Sequence, residues 1–177
     1  VTNMRSMFFL TPFNQDISVW NVSRVTLMHE MFAGANRFNQ NIGAWDVSLV
    51  TDMRRMFDGA SAFQQDISGW DVSSVWGMKQ MFRGTSFNPD VSSWDVSNVT
   101  EMESIFDNAG LTTANYDAIL TAWSSLTLQP SVIFSAAGIT YCNSQAARQS
   151  IMDTYGWTIT DGGQNCSIDN LPLDGLL

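Results

Sequence analysis

The residues of this chain that could carry out acid–base, nucleophilic or metal chemistry are few. His29 is the one histidine among 177 residues, and the two cysteines are Cys142 and Cys166. A zinc site therefore lacks ligands, and a Ser-His-Asp triad would depend on His29, which the pattern places at an exposed helix position. The sequence also contains no Gly-Lys-Ser/Thr phosphate loop. We expect a protein that is not an enzyme, with no catalytic residues, no bound metal and no cofactor.

Carboxylates are the exception, because a pair of them is the requirement for glycoside hydrolysis. The candidates recur at two fixed slots of an internal repeat, and every candidate has a counterpart in each repeat. We therefore rank a hydrolase third among the possible functions. The first slot holds Asp16, Asn41, Asp66 and Asp90, and the second holds Asn21, Asp46, Asp71 and Asp95.

Stacking the repeats would bring these carboxylates close together. Two carboxylates about 5 Å apart repel each other by roughly 1–3 kcal/mol. We favour the interpretation that each side chain accepts backbone N–H groups in an Asx turn, a role that the asparagines Asn21 and Asn41 fill equally well. The alternative is a cation such as calcium between neighbouring repeats.

The repeat itself is clearest in Val50–Ser74, with the sequence VTDMRRMFDGASAFQQDISGWDVSS. We call Val1–Arg24 repeat 1, Val25–Leu49 repeat 2, Val50–Ser74 repeat 3 and Val75–Asn98 repeat 4, followed by a partial repeat 5 from Val99. A unit of 24 or 25 residues cannot bury its own apolar face. The copies must therefore stack and share one core.

Within one repeat, the spacing between apolar residues changes from a helix-like pattern to a strand-like one. Val50, Met53, Met56 and Phe57 have the spacing of one helical face, which Thr51 would cap and Gly59 would end. The segment 66–70 is β-compatible and bounded by turn-forming residues. The sequence therefore predicts short helices opposite one parallel sheet, with strands centred near Ile17, Ile42, Ile67 and Val91. We expect four interior rows: Phe13, Phe38, Phe63 and Phe87; Ile17, Ile42, Ile67 and Val91; Trp20, Trp45, Trp70 and Trp94; and Met7, Met31, Met56 and Met81.

Frames such as FNQDISVWNVS and WDVSNVTEM resemble the BspA-like leucine-rich-repeat surface proteins, in particular their variant of about 25 residues. The resemblance covers Val1 to about Gly110. It implies an α/β repeat solenoid, coiled right-handedly like a leucine-rich repeat, on a cell surface. It further implies adhesion or binding of host or matrix proteins, and it brings no catalytic residues.

After the repeats, residues 111–166 are similar to the C-terminal cap that follows such arrays. Thr112 or Thr113 can cap a helix with the apolar stripe Tyr116, Ile119, Leu120 and Trp123. A strand (SVIFS), a second helix from Ser144 to Gly156 and a strand (WTIT) follow. We predict domains at residues 1–110 and 111–166, then a linker or tail at 167–177.

The two cysteines flank the second half of this cap. We favour a Cys142–Cys166 disulfide over two buried thiols, since a disulfide fits an acidic chain rich in serine and threonine. Closing that loop would stabilise the fold by about 3 kcal/mol. The disulfide favours a secreted or cell-surface location.

The overall composition and charge of the chain argue against some classes of binding partner. The formal net charge of −9 disfavours nucleic acid and anionic membrane, which both select Lys and Arg. No apolar run reaches the roughly 18 residues of a membrane span, so we expect no direct membrane insertion. The expected partner is an extracellular protein or glycan, and further domains of the same polypeptide are expected.

The leading function is a non-enzymatic module for adhesion or for protein or glycan binding, and the second is a structural spacer that presents another domain. A binding surface would use the positions whose residue type differs from one repeat to the next, while the other positions of the repeat stay the same. A binding module should gather these positions into one patch, whereas a spacer needs none. The candidates are Val19, Ala44, Gly69 and Ser93 on the strand side, and Leu27, His29, Glu30, Arg54, Arg55, Lys79 and Gln80 on the helix side.

Overall fold

The computed structural model describes residues 1–167, and its regular secondary structure lies in the C-terminal third. Helix α1 spans Thr113–Trp123, strand β1 Ile133–Ala136, helix α2 Gln145–Tyr155 and strand β2 Thr158–Asp161. This is the helix–strand–helix–strand order that the sequence predicts. As expected, the side chain of Thr112 caps α1, and Gly156 ends α2 in the left-handed conformation with φ 67°.

The short helix predicted in each repeat is a run of tight turns instead. In repeat 2, the N–H groups of Glu30 and Phe32 donate to the carbonyl oxygens of Arg54 and Met56 in repeat 3, at 2.9 and 2.8 Å. The intervening N–H of Met31 donates back within the repeat, to the carbonyl of Met28 at 3.1 Å. Alternate N–H groups thus bond to the next repeat, whereas in an α-helix all of them would bond within the segment.

Left-handed residues explain why no helix forms there. Each repeat places two of them four residues apart, as at Glu30 (φ 56°) and Gly34 (φ 71°). A left-handed residue interrupts the right-handed i to i−4 bonding pattern, so the chain turns back into the stack every few residues. The equivalent pairs are Ser6 and Leu10, Arg55 and Gly59, Gln80 and Gly84, and Ser104 and Asn108.

The predicted strands also differ from the structure. Ile67 is buried as expected, but it lies in a turn in which the N–H of Trp70 donates to its carbonyl at 3.1 Å. Parallel bridges instead join one residue per repeat on the turn segment, namely Asn3, Leu27, Asp52, Gly77 and Glu101. Successive repeats are therefore paired in parallel, 24 or 25 residues apart. The leucine-rich-repeat-like right-handed solenoid stays a prediction.

The shared core consists of stacked aromatic rings. Phe32, Phe57 and Phe82 stack with ring centroids 5.6 and 5.8 Å apart, and a second stack of Phe38, Phe63 and Phe87 runs beside it. The predicted interior rows are buried in repeats 2 to 4. Repeat 1 differs: Met7 is 42% and Trp20 36% exposed, because only repeat 2 packs against them.

The C-terminal segment continues the parallel pairing. Met102 bridges to Phe134 in β1, which pairs in parallel with β2. The predicted disulfide is confirmed: Cys142 and Cys166 are bonded, with Cα atoms 4.8 Å apart. Of the predicted tail, only Ser167 lies within the described residues. No helix in residues 1–167 is long and apolar enough to cross a membrane.

Candidate binding face

The bridged turn segments carry most of the charged side chains of the repeats. Because equivalent residues of successive repeats are hydrogen-bonded side by side, their side chains form columns across the stack. One column, for example, contains His29, Arg54, Lys79 and Glu103. We call this surface the ladder face; it comprises His29, Glu30, Asp52, Arg54, Arg55, Asp58, Trp76, Lys79, Gln80, Arg83, Glu101 and Glu103.

Arg54 lies at the centre of the ladder face. Its guanidinium carbon is 4.5 Å from the ring centroid of Trp76, and its Nη2 is 2.8 Å from Oδ2 of Asp52. Its Nη1 is 3.4 Å from Oε2 of Glu101. Gly77 leaves room for the Arg54 side chain, since a Cβ at that position would lie 3.0 Å from Arg54 Cγ. Two carboxylates thus hold the arginine over an indole, and a cation–π contact of this kind contributes about 0.5–1 kcal/mol at an exposed site.

The ion pair between Arg54 and Asp52 shifts the pKa of both groups. The hydrogen bond to Asp52 is the largest contribution that raises the pKa of Arg54. Partial burial raises the pKa of Asp52, but hydrogen bonds from the Arg54 side chain and backbone outweigh it, so the pKa is lowered. Both groups therefore stay charged at neutral pH.

A second chain of ion pairs connects repeats 1 to 4. Arg55 pairs with Glu30 and with Oδ2 of Asp58, the latter at 3.0 Å. Asp58 is buried and also accepts from Nε of Arg83 at 2.8 Å. Glu30 in turn accepts from the hydroxyl of Ser6 at 3.2 Å. These contacts fix the guanidinium planes of two arginines across three repeat boundaries.

Two further predicted residues lie on the ladder face. Lys79 Nζ is 3.0 Å from Oε2 of Glu103. His29 lies 3.5 Å from Asp52 and 3.6 Å from Glu30, measured between the nearest nitrogen and oxygen atoms. Within residues 1–167 no group of three or more His, Cys, Asp or Glu could hold a metal ion. The ladder face therefore offers oriented donors, acceptors and one indole, which suit recognition of a polar surface.

The four predicted positions on the strand side form a separate column. Val19 is 89% exposed, and Ala44, Gly69 and Ser93 are exposed as well. They lie in turns, and the hydroxyl of Ser93 donates to the carbonyl of Ser68 at 3.2 Å. No hydrogen bond or ion pair in the described residues joins this column to the ladder face. The structure thus places the helix-side candidates together on one surface and the strand-side candidates on another.

Sequence reasoning missed several residues of the ladder face. Trp76 replaces the threonine of the other repeats and was not among the candidates. Asp52 and Glu101 occupy the slot that holds asparagine, leucine or glycine in the other repeats, and both pair with Arg54. Asp58 and Arg83 share a column in which repeat 2 has an alanine. These residues could have been found in the sequence because each differs from the residue at the same position of other repeats.

The acidic slots form the Asx turns that we favoured. Asp66 Oδ1 accepts from the N–H of Ser68 at 2.9 Å, and Asp71 Oδ1 accepts from the N–H and hydroxyl of Ser73 at 3.0 and 2.6 Å. Asn21 makes the same two bonds to Ser23. The Ser73 hydroxyl, followed by its N–H, lowers the pKa of Asp71 below the ordinary 3.8.

These bonds predict acid sensitivity of the repeats. A lowered folded-state pKa contributes stability that is present above the ordinary pKa of 3.8 and is lost as pH falls through the folded-state pKa. The variant D46N/D71N keeps the acceptor oxygen, as Asn21 does, but does not titrate there. We expect its melting temperature to lie slightly below that of the wild type at pH 7 and to fall less steeply below pH 3.8. Identical acid profiles in thermal melts would contradict this prediction.

Comparison with known proteins assigns no ligand to the ladder face. Residues 1–86 match the family model described as Mycoplasma protein of unknown function, DUF285. No curated protein and no solved structure matches the chain. The family description names no activity, and the resemblance to BspA-like leucine-rich-repeat proteins stays a prediction.

Proposed function

We propose that this chain is a non-enzymatic repeat module of a secreted or cell-surface protein, and that the ladder face binds an extracellular protein ligand in adhesion. In this proposal the repeats form the right-handed, leucine-rich-repeat-like solenoid of BspA-like proteins. Parallel bridges that recur every 24 or 25 residues support that architecture. The disulfide supports an oxidising compartment.

One observation carries the binding proposal: the contacts around Arg54 and Arg55 join residues of five repeats into one continuous surface. The chain of contacts runs from Ser6 through Glu30 and Arg55 to Arg83, and from His29 through Asp52 and Arg54 to Glu101. Arginine and tryptophan are the side chains enriched where binding energy concentrates in interfaces. Holding them in place before binding lowers the entropy cost of association.

A spacer would not depend on this surface. Ion pairs that are partly exposed contribute only about 0–1 kcal/mol each to stability, so a network of this extent is a weak source of rigidity. The stacked aromatic core already stiffens the repeats. Binding therefore accounts for the ladder face better than a purely mechanical role does.

The test measures binding of purified matrix proteins (fibronectin, fibrinogen, collagen and laminin) to the immobilised chain by surface plasmon resonance. The variant R54A/W76T removes the stacked pair, with the threonine that repeats 2 and 3 carry at that slot. We expect its Kd to rise at least tenfold while the chain stays folded, with a melting temperature only slightly below that of the wild type. R37A changes an exposed arginine outside the ladder face and should bind normally. No binding by the wild type, or equal binding by R54A/W76T, would favour the spacer.

A further inference from the structure

A polar groove lies between repeats 3 and 4, on a different segment of the repeat from the ladder face. It has a volume of about 410 Å³, and its lining includes Gln64, Asp66, Asn88, Pro89 and Asp90. Two carboxylates, two amides and a proline ring thus surround one open cavity. The corresponding segments of repeats 1 to 3 are occupied by a continuous ladder of side-chain amides.

The amide ladder is regular up to repeat 3. Asn14 Oδ1 accepts from the N–H of Asn39 at 2.9 Å, and Asn39 Oδ1 accepts from the N–H of Gln64 at 3.1 Å. A glutamine from the neighbouring slot adds a second bond, as Gln65 Nε2 does to Asn39 Oδ1 at 2.8 Å. Each rung therefore satisfies one asparagine side chain with donors from the next repeat.

Two substitutions break the ladder between repeats 3 and 4. Gln64 stands where repeats 1, 2 and 4 have asparagine, and its side chain is one methylene longer. Pro89 stands where Gln65 stands in repeat 3, and proline has neither a side-chain amide nor a backbone N–H. Among residues 1–167 the side-chain amide of Gln64 has no hydrogen-bond partner, whereas Asn88 resumes the ladder by accepting from the N–H of Thr112 at 2.8 Å. The groove lies at the position of the missing rung.

We propose that this groove binds a neutral oligosaccharide. Asp66 and Asp90 each use Oδ1 to accept the N–H of the residue two positions later, at 2.9 Å, and a carboxylate retains further acceptor capacity. They can therefore accept O–H or N–H donors from a ligand, and they repel an anionic one. The Gln64 amide offers both donors and an acceptor.

The groove presents both hydrogen-bond donors and acceptors, and this combination favours a sugar over a cationic ligand. A lysine or arginine side chain offers donors only and leaves the Gln64 NH₂ group unpaired, whereas a sugar hydroxyl both donates and accepts. The Pro89 ring adds an apolar surface that the C–H face of a pyranose can cover. The proposal does not depend on the ladder face, because no groove residue belongs to it.

The test titrates the full chain with chitotetraose and maltotetraose by calorimetry, with a heparin-derived tetrasaccharide and tetralysine as charged comparisons. The variant Q64N/P89Q restores the missing rung, so it should bind the neutral sugar at least tenfold more weakly and melt at or above the wild-type temperature. D66N/D90N retains the turns, as Asn41 does in repeat 2, and should also bind at least tenfold more weakly. D16N changes the same slot outside the groove and should leave binding unchanged.

Three results would overturn the proposal. They are binding of neither neutral tetrasaccharide, binding of tetralysine alone, and equal sugar binding by the wild type, Q64N/P89Q and D66N/D90N. None of them bears on the matrix-protein experiment with R54A/W76T, so the two proposals fail separately.

Discussion

Replacing Trp70 with alanine should lower the free energy of unfolding by about 3–5 kcal/mol, as truncation of a buried aromatic side chain typically does. Trp70 is 3% exposed, and its ring centroid lies 6.4 Å from that of Phe57 in the stacked core. Its Nε1 also donates to the carbonyl of Ile42 in repeat 2 at 3.1 Å. Truncation would leave a cavity and remove a bond between two repeats. Urea denaturation followed by circular dichroism measures the loss.

Two variants separate the contributions to this effect. Trp70→Phe retains an aromatic ring but loses the bond to Ile42, and we expect it to cost less than Trp70→Ala. Trp20 occupies the same slot in repeat 1 but is 36% exposed, so Trp20→Ala should cost clearly less. If Trp20→Ala and Trp70→Ala were equally destabilising, the stacked core would not be the source of the effect.

The periodicity of the sequence predicted which residues are buried but not the backbone that buries them. Met53, Met56 and Phe57 have helical spacing and are buried, as expected. A run of turns that returns to the stack every few residues satisfies the same spacing. The deciding feature is a left-handed conformation at Arg55 and its equivalents, and arginine is a good helix former with no preference for that region. The inter-repeat hydrogen bonds, which are non-local, impose it.

The C-terminal segment was predicted more closely, because its signals are local. The cap at Thr112 and the left-handed end at Gly156 are both features of single positions next to a helix. The Cys142–Cys166 disulfide was likewise within reach, since the chain has only two cysteines.

The candidate sites depended on contacts between repeats, which sequence spacing alone does not give. The pairing of Arg54 with Trp76 and Glu101 joins residues that are 22 and 47 positions apart. The groove depends on the break in the amide ladder at Gln64 and Pro89. The Arg54 pairing and the groove can be recognised only when the register between neighbouring repeats is known.

Replacing Asp117 with alanine should also destabilise the chain, by about 3–5 kcal/mol, because three backbone N–H groups and one hydroxyl would lose their acceptor. Asp117 lies in α1 and is buried. Its carboxylate accepts from the N–H groups of Cys142, Asn143 and Ser144 at 2.9–3.1 Å and from the Ser144 hydroxyl at 2.5 Å. Ser144 precedes α2, so the carboxylate also lies at the positive end of that helix dipole.

Asp117 thus joins α1 to the start of α2 and to one end of the disulfide. Without it, three N–H groups lose their acceptor, and each unsatisfied buried donor costs about 1–3 kcal/mol unless water replaces the carboxylate. The matched control is D153A, which removes an exposed carboxylate on α2 that bonds only Gln149 and should cost less than about 0.5 kcal/mol. Equal unfolding free energies for D117A and the wild type would show that the carboxylate does not position α2. A large loss in D117A with the disulfide intact would assign that role to the carboxylate.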